Sequence, residues 1–287
     1  MATTERGAVL TPERERELRA LCARGRGLVL QSVRGAGAGH VGGPLSAMEI
    51  LVTLYFHVLS VDPARPRARE RDRFVLSKGH SSIGLYSVLA MRGFVPEAEL
   101  CTFDHLGSRL QGHPDMTALD ALDMSTGSLG QGLSVGLGMA LGLRRRGLTS
   151  RVYVLMGDGE CQEGQVWEAA HAATALGVSG LVAIVDQNLL PQFAWPGGGM
   201  GEQRRVALAA RFEAFGWEVR GVDGHDIAAL AAACQSADHP VAVIARTVKG
   251  RGVSFMEGDF RWHSRVPTDE EMARAAAELA EGGRGDA

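Results

Sequence analysis

The sequence predicts an α/β protein with a doubly wound, mostly parallel sheet and helices on both faces. Three features point there. Val152-Tyr153-Val154-Leu155-Met156, Leu181-Val182-Ala183-Ile184-Val185 and Val241-Ala242-Val243-Ile244-Ala245 are continuous apolar runs of strand length, as expected for strands buried on both sides. The alanine-rich stretch Gln165 to Leu176, with helical spacing, lies between the first two and completes a strand–helix–strand unit. Both of those runs break into polar groups at their carboxyl ends, Gly157-Asp158-Gly159-Glu160 after one and Asp186-Gln187-Asn188 after the other. Open parallel sheets bind ligands along that edge.

The 287 residues are 45% hydrophobic and 22% charged, enough for one large core, and read as a single domain over 1–287. A net charge of −3 and a pI near 6.3 give no reason to expect nucleic acid or an acidic membrane surface as partner. No apolar run reaches the ~18 residues of a membrane span, and the polar amino terminus lacks a signal-peptide core, so a cytoplasmic location is expected. Cys22, Cys101, Cys161 and Cys234 stand without CxxC spacing, which makes buried free thiols the expectation. Of the thirty basic residues only Lys78 and Lys249 are lysines, and both adjoin motifs, so a compact ammonium is expected there for its chemistry.

Thr11-Pro12-Glu13 supplies an N-cap, a proline at the first helical position and an acid in the first turn, starting a helical amino-terminal extension over about 11–34. The loop from Gly35 to Pro44 is so rich in glycine that its backbone must turn sharply or approach something closely, and it carries His40. Ser46 to Leu59 reads as a core helix through Met48, Leu51, Val52, Tyr55 and Val58-Leu59. Arg71 to Ser77 reads as a short strand followed by Lys78-Gly79-His80-Ser81-Ser82, and a further histidine, His113, stands in Leu110-Gln111-Gly112-His113-Pro114-Asp115. Ser125 to Gly132 precede a small-residue helix running to about Arg146, whose first N–H groups could meet an anion or a ring nitrogen. Phe212 to Gly224 gives a helix end and a strand, and Thr247 to Glu257 lead to Trp262-His263. His225 is read as a helix-start residue, His57, His105, His171 and His239 as surface or core, and residues about 282–287 as a frayed tail.

Carboxyl ends of neighbouring parallel strands lie side by side, so Asp158 and Asn188 can converge although thirty positions separate them. A carboxylate and an amide oxygen suit a hard cation. Magnesium prefers about six oxygens, most of them from phosphates and water. The glycines beside Asp158 let backbone N–H groups approach such phosphates. An isolated Asp-Gly pair is ordinarily just a turn; Asn188 at matching depth favours the cation.

Gly157-Asp158-Gly159 with Asn188 resembles the thiamine diphosphate motif. The run from Gly157 to Gly164 followed by Glu168-Ala169, together with Arg71-Asp72-Arg73-Phe74-Val75-Leu76-Ser77-Lys78-Gly79-His80, is similar to transketolases. The likeness is closest to the amino-terminal subunit of transketolases split over two chains, and it covers nearly the whole sequence. It implies the diphosphate-binding domain of the thiamine diphosphate-binding fold, with thiamine diphosphate and Mg2+ (or Ca2+ or Mn2+) as cofactors. The implied reaction moves a two-carbon ketol unit from a ketose phosphate to an aldose. The implied metal ligands are Asp158, Asn188 and the backbone carbonyl of Leu190. The implied cofactor contacts are His80, Gly127, Leu129, Gly157, Asp158, Gly159, Glu163, Asn188, Lys249 and His263. Among them, backbone at Gly127 and Leu129 would meet the aminopyrimidine, and Glu163 would pair with a carboxyl group of a partner subunit. His40, His80, His113 and His263 are the catalytic candidates, because alkoxides form and collapse during the transfer and imidazoles near the sugar oxygens would stabilise them. Val41, Ser128 and Ser264 depart from the pattern, which usually has proline, proline and glycine there.

In this family the glutamate that activates the cofactor lies on a second domain, as do most of the phosphate-binding arginines, and the region resembled stops before it. The expected partner is therefore a carboxyl-terminal transketolase subunit in an α2β2 hetero-tetramer, with sugar phosphates as substrates. Two alternatives share the motif: a subunit of a deoxyxylulose-phosphate-synthase-like enzyme, and a non-catalytic cofactor-binding protein of the same fold. Trp262-His263 and Gln111-Gly112-His113-Pro114 favour transketolase over the first, and the retained metal and histidine positions speak against the second.

Overall fold

Strands that are apolar on both sides need cover on both sides. The computed structural model describes residues 10–190 and 202–282; residues 1–9, 191–201 and 283–287, most of the expected tail among them, lie outside it. Within the described residues, β1 (Arg73–Leu76), β2 (Val152–Gly157), β3 (Leu181–Gln187), β4 (Glu218–Asp223) and β5 (Val241–Arg246) form one parallel sheet in the order β1-β2-β3-β5-β4. Leu76 pairs with Leu155, Gly157 with Asp186, and Asp186 with Ala245, so the chain leaves these four strands along a single edge.

Alternate residues of each strand enter two separate cores. Phe74, Leu76, Tyr153, Leu155, Val182, Ile184, Val241 and Val243 face α1 (Pro12–Ala36), α2 (Gly42–Ser46), α3 (Met48–Thr53) and α4 (Ser82–Arg92). Val75, Val152, Val154, Met156, Ala183, Val185, Ala242 and Ile244 face α5 (Gln131–Arg145), α6 (Gly164–Ala175) and α7 (Glu202–Ala214). Helix α8 (Ile227–Ala233) returns to the first face, and α9 (Asp269–Gly282) packs there through Ala275 and Leu279. This is the doubly wound arrangement expected. No helix among the described residues is long and apolar enough to cross a membrane.

Four expectations need correction. The glycine-rich loop is shorter than read: α1 runs to Ala36, Gly37 caps it at φ 67 with its N–H on Val33 O, and Gly42 already begins α2. A side-chain carbon at Gly42 would come 2.8 Å from Lys249 Cγ and one at Gly43 3.0 Å from Ser81 Oγ, so these two glycines serve close packing of a helix. The single helix over Ser46–Leu59 is divided, with α3 giving way to a π-turn at Leu54–Val58. There the carbonyls of Tyr55 and Phe56 accept from Arg92 Nε at 3.1 Å and an Arg14 guanidinium N–H at 2.6 Å. Cys101 is exposed on a 3-10 turn whose Leu100 faces inward, while Cys22, Cys161 and Cys234 are buried.

The fourth correction concerns His225. The α8 cap is Asp226, which accepts the Ala229 N–H at 2.9 Å, and His225 turns inward instead. Its Nε2 accepts the Val248 N–H at 2.9 Å, which leaves the proton on Nδ1, 3.0 Å from Glu49 Oε2. Arg26 donates to the same Glu49 carboxylate at 2.6 and 2.7 Å. Burial alone would raise this carboxyl group, but Arg26 and His225 outweigh it and hold the pKa at about 2. The cluster fastens α1 and α3 to the loop that carries Lys249.

Removing one partner of a buried pair typically costs about 3–5 kcal/mol, and Glu49→Gln is expected to lose stability of that order at neutral pH. Since the folded pKa of Glu49 lies below the ordinary carboxyl value of 4.5, its stabilisation is complete above that value and lost as pH falls toward about 2. Denaturant unfolding of both proteins across this range should show the gap between them closing in acid. A gap that does not change with pH would rule the pairing out.

Candidate active site

At the carboxyl edge of the sheet the polar side chains have to be paired, because the strands leading to them are fully buried. Asp186, fully buried in β3, accepts from Lys78 Nζ just past β1, from Ser46 Oγ of α2 at 2.6 Å, and from Thr247 Oγ1 just past β5. Burial pushes its carboxyl group upward, yet the Lys78 charge and these three hydrogen bonds prevail and hold it below the ordinary aspartate value. Lys78 Nζ also reaches Gly43 O at 3.3 Å. One carboxylate thus joins α2 and the ends of β1, β3 and β5.

Above this pair, Asp158 Oδ1 accepts the Gly159 N–H at 2.9 Å and Oδ2 the Leu189 N–H at 2.7 Å. Leu189 sits at φ 61, a left-handed conformation leucine seldom adopts, at the bend between Asn188 and Leu190. Asn188 Oδ1 accepts the Leu190 N–H at 3.1 Å, and Leu190 O accepts from Lys249 Nζ at 2.8 Å, leaving that carbonyl a second lone pair. Burial, and then the neighbouring Asp186 charge, raise the Asp158 carboxyl pKa to about 6. The three oxygens of Asp158, Asn188 and Leu190 make half of the roughly six that magnesium takes. Among the described residues no cluster of three or more His, Cys, Asp or Glu could hold a metal. Oxygens from a bound diphosphate would supply the remainder of a cation's shell here, and the donor set fits that pair.

Four imidazoles close over this floor. The His40 ring lies 5.2 Å from His80, 5.1 Å from His263 and 6.2 Å from His113, centroid to centroid, and His80 lies 5.3 Å from His263. Burial, reinforced by the Lys78 charge, lowers His80 to about 2; burial and Lys249 lower His263 to about 3; His40 is lowered by burial and by His113. Lys249 Nζ lies 2.8 Å from His263 Nδ1. An ammonium only donates, so Nδ1 accepts and the His263 proton is on Nε2. Burial and the Lys78 charge lower Lys249 itself to about 8.

The structure gathers every residue the sequence nominated, the thirteen from His40 to His263, around one cavity of about 640 Å³. Leu129 is 38% exposed at its rim, with Glu163 exposed beside it. Sequence reasoning missed the Asp186 hub and Glu160. The signals were present: an acid closing an apolar strand, and an acid directly after Gly157-Asp158-Gly159. Lys78, noted for the scarcity of lysine, lines the cavity too.

The fold and this edge bring together an oxygen donor set that fits a hard cation with an anionic diphosphate and, beside it, imidazoles held neutral by burial and nearby ammonium groups. Residues 18–281 match the family model "Transketolase, thiamine diphosphate binding domain". The chain is 39% identical over 262 residues to the 6-deoxy-6-sulfo-D-fructose transketolase subunit SqwG of Clostridium sp. (strain MSTE9), covering 90% of this chain and 94% of that one. It is also 39% identical over 257 residues to an apulose-4-phosphate transketolase subunit of Phocaeicola vulgatus, covering 88% and 90%. The crystal structure of transketolase from Campylobacter jejuni superposes with a TM-score of 0.85 at 30% identity, covering 92% of this chain and 42% of that one. The chain thus spans less than half the length of that structure. It belongs to the transketolase thiamine diphosphate-binding domain family, with thiamine diphosphate and a divalent cation as its cofactors.

Because a cation needs the ionised form of Asp158, affinity for Mg2+–thiamine diphosphate should be level above the Asp158 pKa of about 6. Below that pKa it should fall roughly tenfold per pH unit. Asp158→Ala should abolish magnesium-dependent binding and Asn188→Ala weaken it less. Titration calorimetry between pH 5 and 8, read against these two variants, would dismiss the assignment if Asp158→Ala binds as the wild type does.

Proposed function

We propose that this chain is the amino-terminal, cofactor-binding subunit of a two-chain transketolase, a single domain acting in the cytoplasm. In this reading it forms an α2β2 assembly with a carboxyl-terminal chain that supplies the activating glutamate. The main support is the convergence of four imidazoles over a floor suited to a metal diphosphate. The match to nearly the full length of proteins named as transketolase subunits supports the division into two chains.

When bound, the cofactor supplies the carbon–carbon bond cleavage and carries the two-carbon unit between sugars. The chain's own residues hold, orient and hydrogen-bond. Asp158, Asn188 and the Leu190 carbonyl hold the metal; Lys249 faces the diphosphate, whereas the three N–H groups of the Gly157-Asp158-Gly159 turn, expected to meet it, are spent on Glu160, Asp186 and Asp158; backbone at Gly127 and Leu129 orients the aminopyrimidine. His263, with Nδ1 taken by Lys249, presents Nε2–H to a substrate oxygen, and its neutrality at pH 7 lets it stabilise developing negative charge by hydrogen bonding. His80 is held neutral in the same way. His40 and His113 complete the wall that meets the sugar hydroxyls. Lys78 and Lys249 are engaged at the floor, so the anionic end of the sugar is assigned to the partner chain, and Glu163 at the rim to contact with a partner's carboxyl group.

Alanine at His80 or His263 is expected to lower turnover by roughly 10²-fold or more while calorimetric cofactor binding persists. Unchanged turnover in both would return them to a packing role. Purified alone, the chain should bind cofactor weakly and transfer no ketol group from xylulose 5-phosphate, and adding the carboxyl-terminal subunit should restore both. Activity from this chain alone, once mass spectrometry has excluded a co-purified partner, would overturn the two-chain reading.

A further inference from the structure

Glu160 is a buried carboxylate at the cavity for which the scheme above has no part. It is 3% exposed and opens the 3-10 turn Glu160–Gln162 directly after Gly159. Its two oxygens accept from three separate segments: Ser77 Oγ at the end of β1, the Gly130 N–H at 2.8 Å just before α5, and the Gly157 N–H at 3.1 Å at the end of β2. Ser77 Oγ in turn accepts the Gly132 N–H at 3.1 Å. Along the chain these donors lie three residues before His80, one after Leu129 and one before Asp158.

The segments meet with no room between them. A side-chain carbon at Gly79 would come 2.7 Å from Thr126 Oγ1 and 2.9 Å from the Gly127 nitrogen. One at Gly130, where φ is 83, would come 2.7 Å from Glu163 Cβ, and one at Gly132 would overlap Ser77 Oγ. The loop from Thr126 to Gly132 is therefore seated directly on the Ser77 to Gly79 turn and on Glu163. What holds its height above the Asp158 turn is the acceptor that Ser77, Gly130 and Gly157 share. An amide offers one acceptor oxygen where a carboxylate offers two, so glutamine there cannot receive all three donors in the same geometry.

We propose that Glu160 is a positioning residue that sets the spacing between the loop contacting the aminopyrimidine, Gly127 to Leu129, and the turn contacting the metal diphosphate, so that both ends of the cofactor are met together. This rests on the cofactor-site reading given above. A residue that merely stabilised the fold would weaken every ligand alike; a residue that sets this spacing matters most to a ligand long enough to touch both places.

The test compares Mg2+–pyrophosphate with Mg2+–thiamine diphosphate by titration calorimetry on the full chain, in the assembly in which it purifies. For Glu160→Gln, affinity for thiamine diphosphate should fall about tenfold or more, the scale of a hydrogen bond to a charged group, while pyrophosphate stays within about threefold. Equal losses for both ligands, or an undiminished affinity for thiamine diphosphate, would overturn the proposal. Ser77→Ala, which removes one donor from the same carboxylate, should show the same selective loss at smaller size, and it decides the matter if Glu160→Gln does not fold. A wild-type protein that binds thiamine diphosphate no more tightly than pyrophosphate would instead overturn the site reading, and the positioning role with it.

Discussion

The ion pair between Lys78 and Asp186 is the constraint on which the site depends. Two charges taken out of water cost several kcal/mol each, and the pair survives only because Ser46, Thr247 and the Gly43 carbonyl satisfy what the two leave over. Together with Lys78 itself they belong to three stretches of the active edge, α2 with Gly43 and Ser46, the turn after Lys78, and the loop after Thr247. The helix that brings Gly42 against Lys249, the turn into His80 and the loop toward Lys249 all leave from this one buried carboxylate. Were the pair replaced by apolar groups of like volume, the two cores could stay packed, but the polar ends of the strands would lose their common anchor.

The same charges divide the cavity electrically. At the floor, Asp158 stands near Asp186 and is pushed toward protonation, a state that a cation relieves. At the wall, burial and the two ammonium groups keep His80 and His263 neutral, so these rings act as polar, uncharged groups. A floor of carboxylate and carbonyl oxygens set among ammonium groups, with imidazoles held neutral above it, suits a reaction in which a metal diphosphate is fixed below while oxygen atoms gain and lose charge above. The tautomer of His263 is part of this division, because Lys249 bridges the floor carbonyl of Leu190 and the wall imidazole.

The legible part of the fold was whatever a local pattern could carry. Apolar strands of five residues, the alanine-rich helix and the polar groups ending each strand all repeat at short range, and they led to the sheet and to the convergence of Asp158 with Asn188. Two lysines among many arginines were also readable, because a choice against composition marks a position. Glu160 and Asp186 stood out by position, but what they and His225 hold together was not readable. Their meaning lies in partners 30 to 140 or more residues away, such as the donors Gly130 for Glu160 and Ser46 for Asp186, and the acceptor Glu49 for His225. Gly42 and Gly43 misled for a related reason: glycine that permits close helix packing looks the same as glycine that makes a loop.

This arrangement gives a physical account of how such a site can be divided between chains. Every group proposed to hold the metal and the diphosphate leaves the carboxyl edge of one sheet, or is tied to it by Glu160, Asp186 or Lys249, so that half of the site needs no outside support. The side left open is the rim, where Leu129 and Glu163 are exposed beside the tightly seated loop that begins α5. In the proposed two-chain enzyme the partner docks against a surface whose backbone is already fixed. In that proposal the acid at the pyrimidine and the cations for the sugar's anionic end come from the partner, groups that would approach a preformed floor and are not needed to build it.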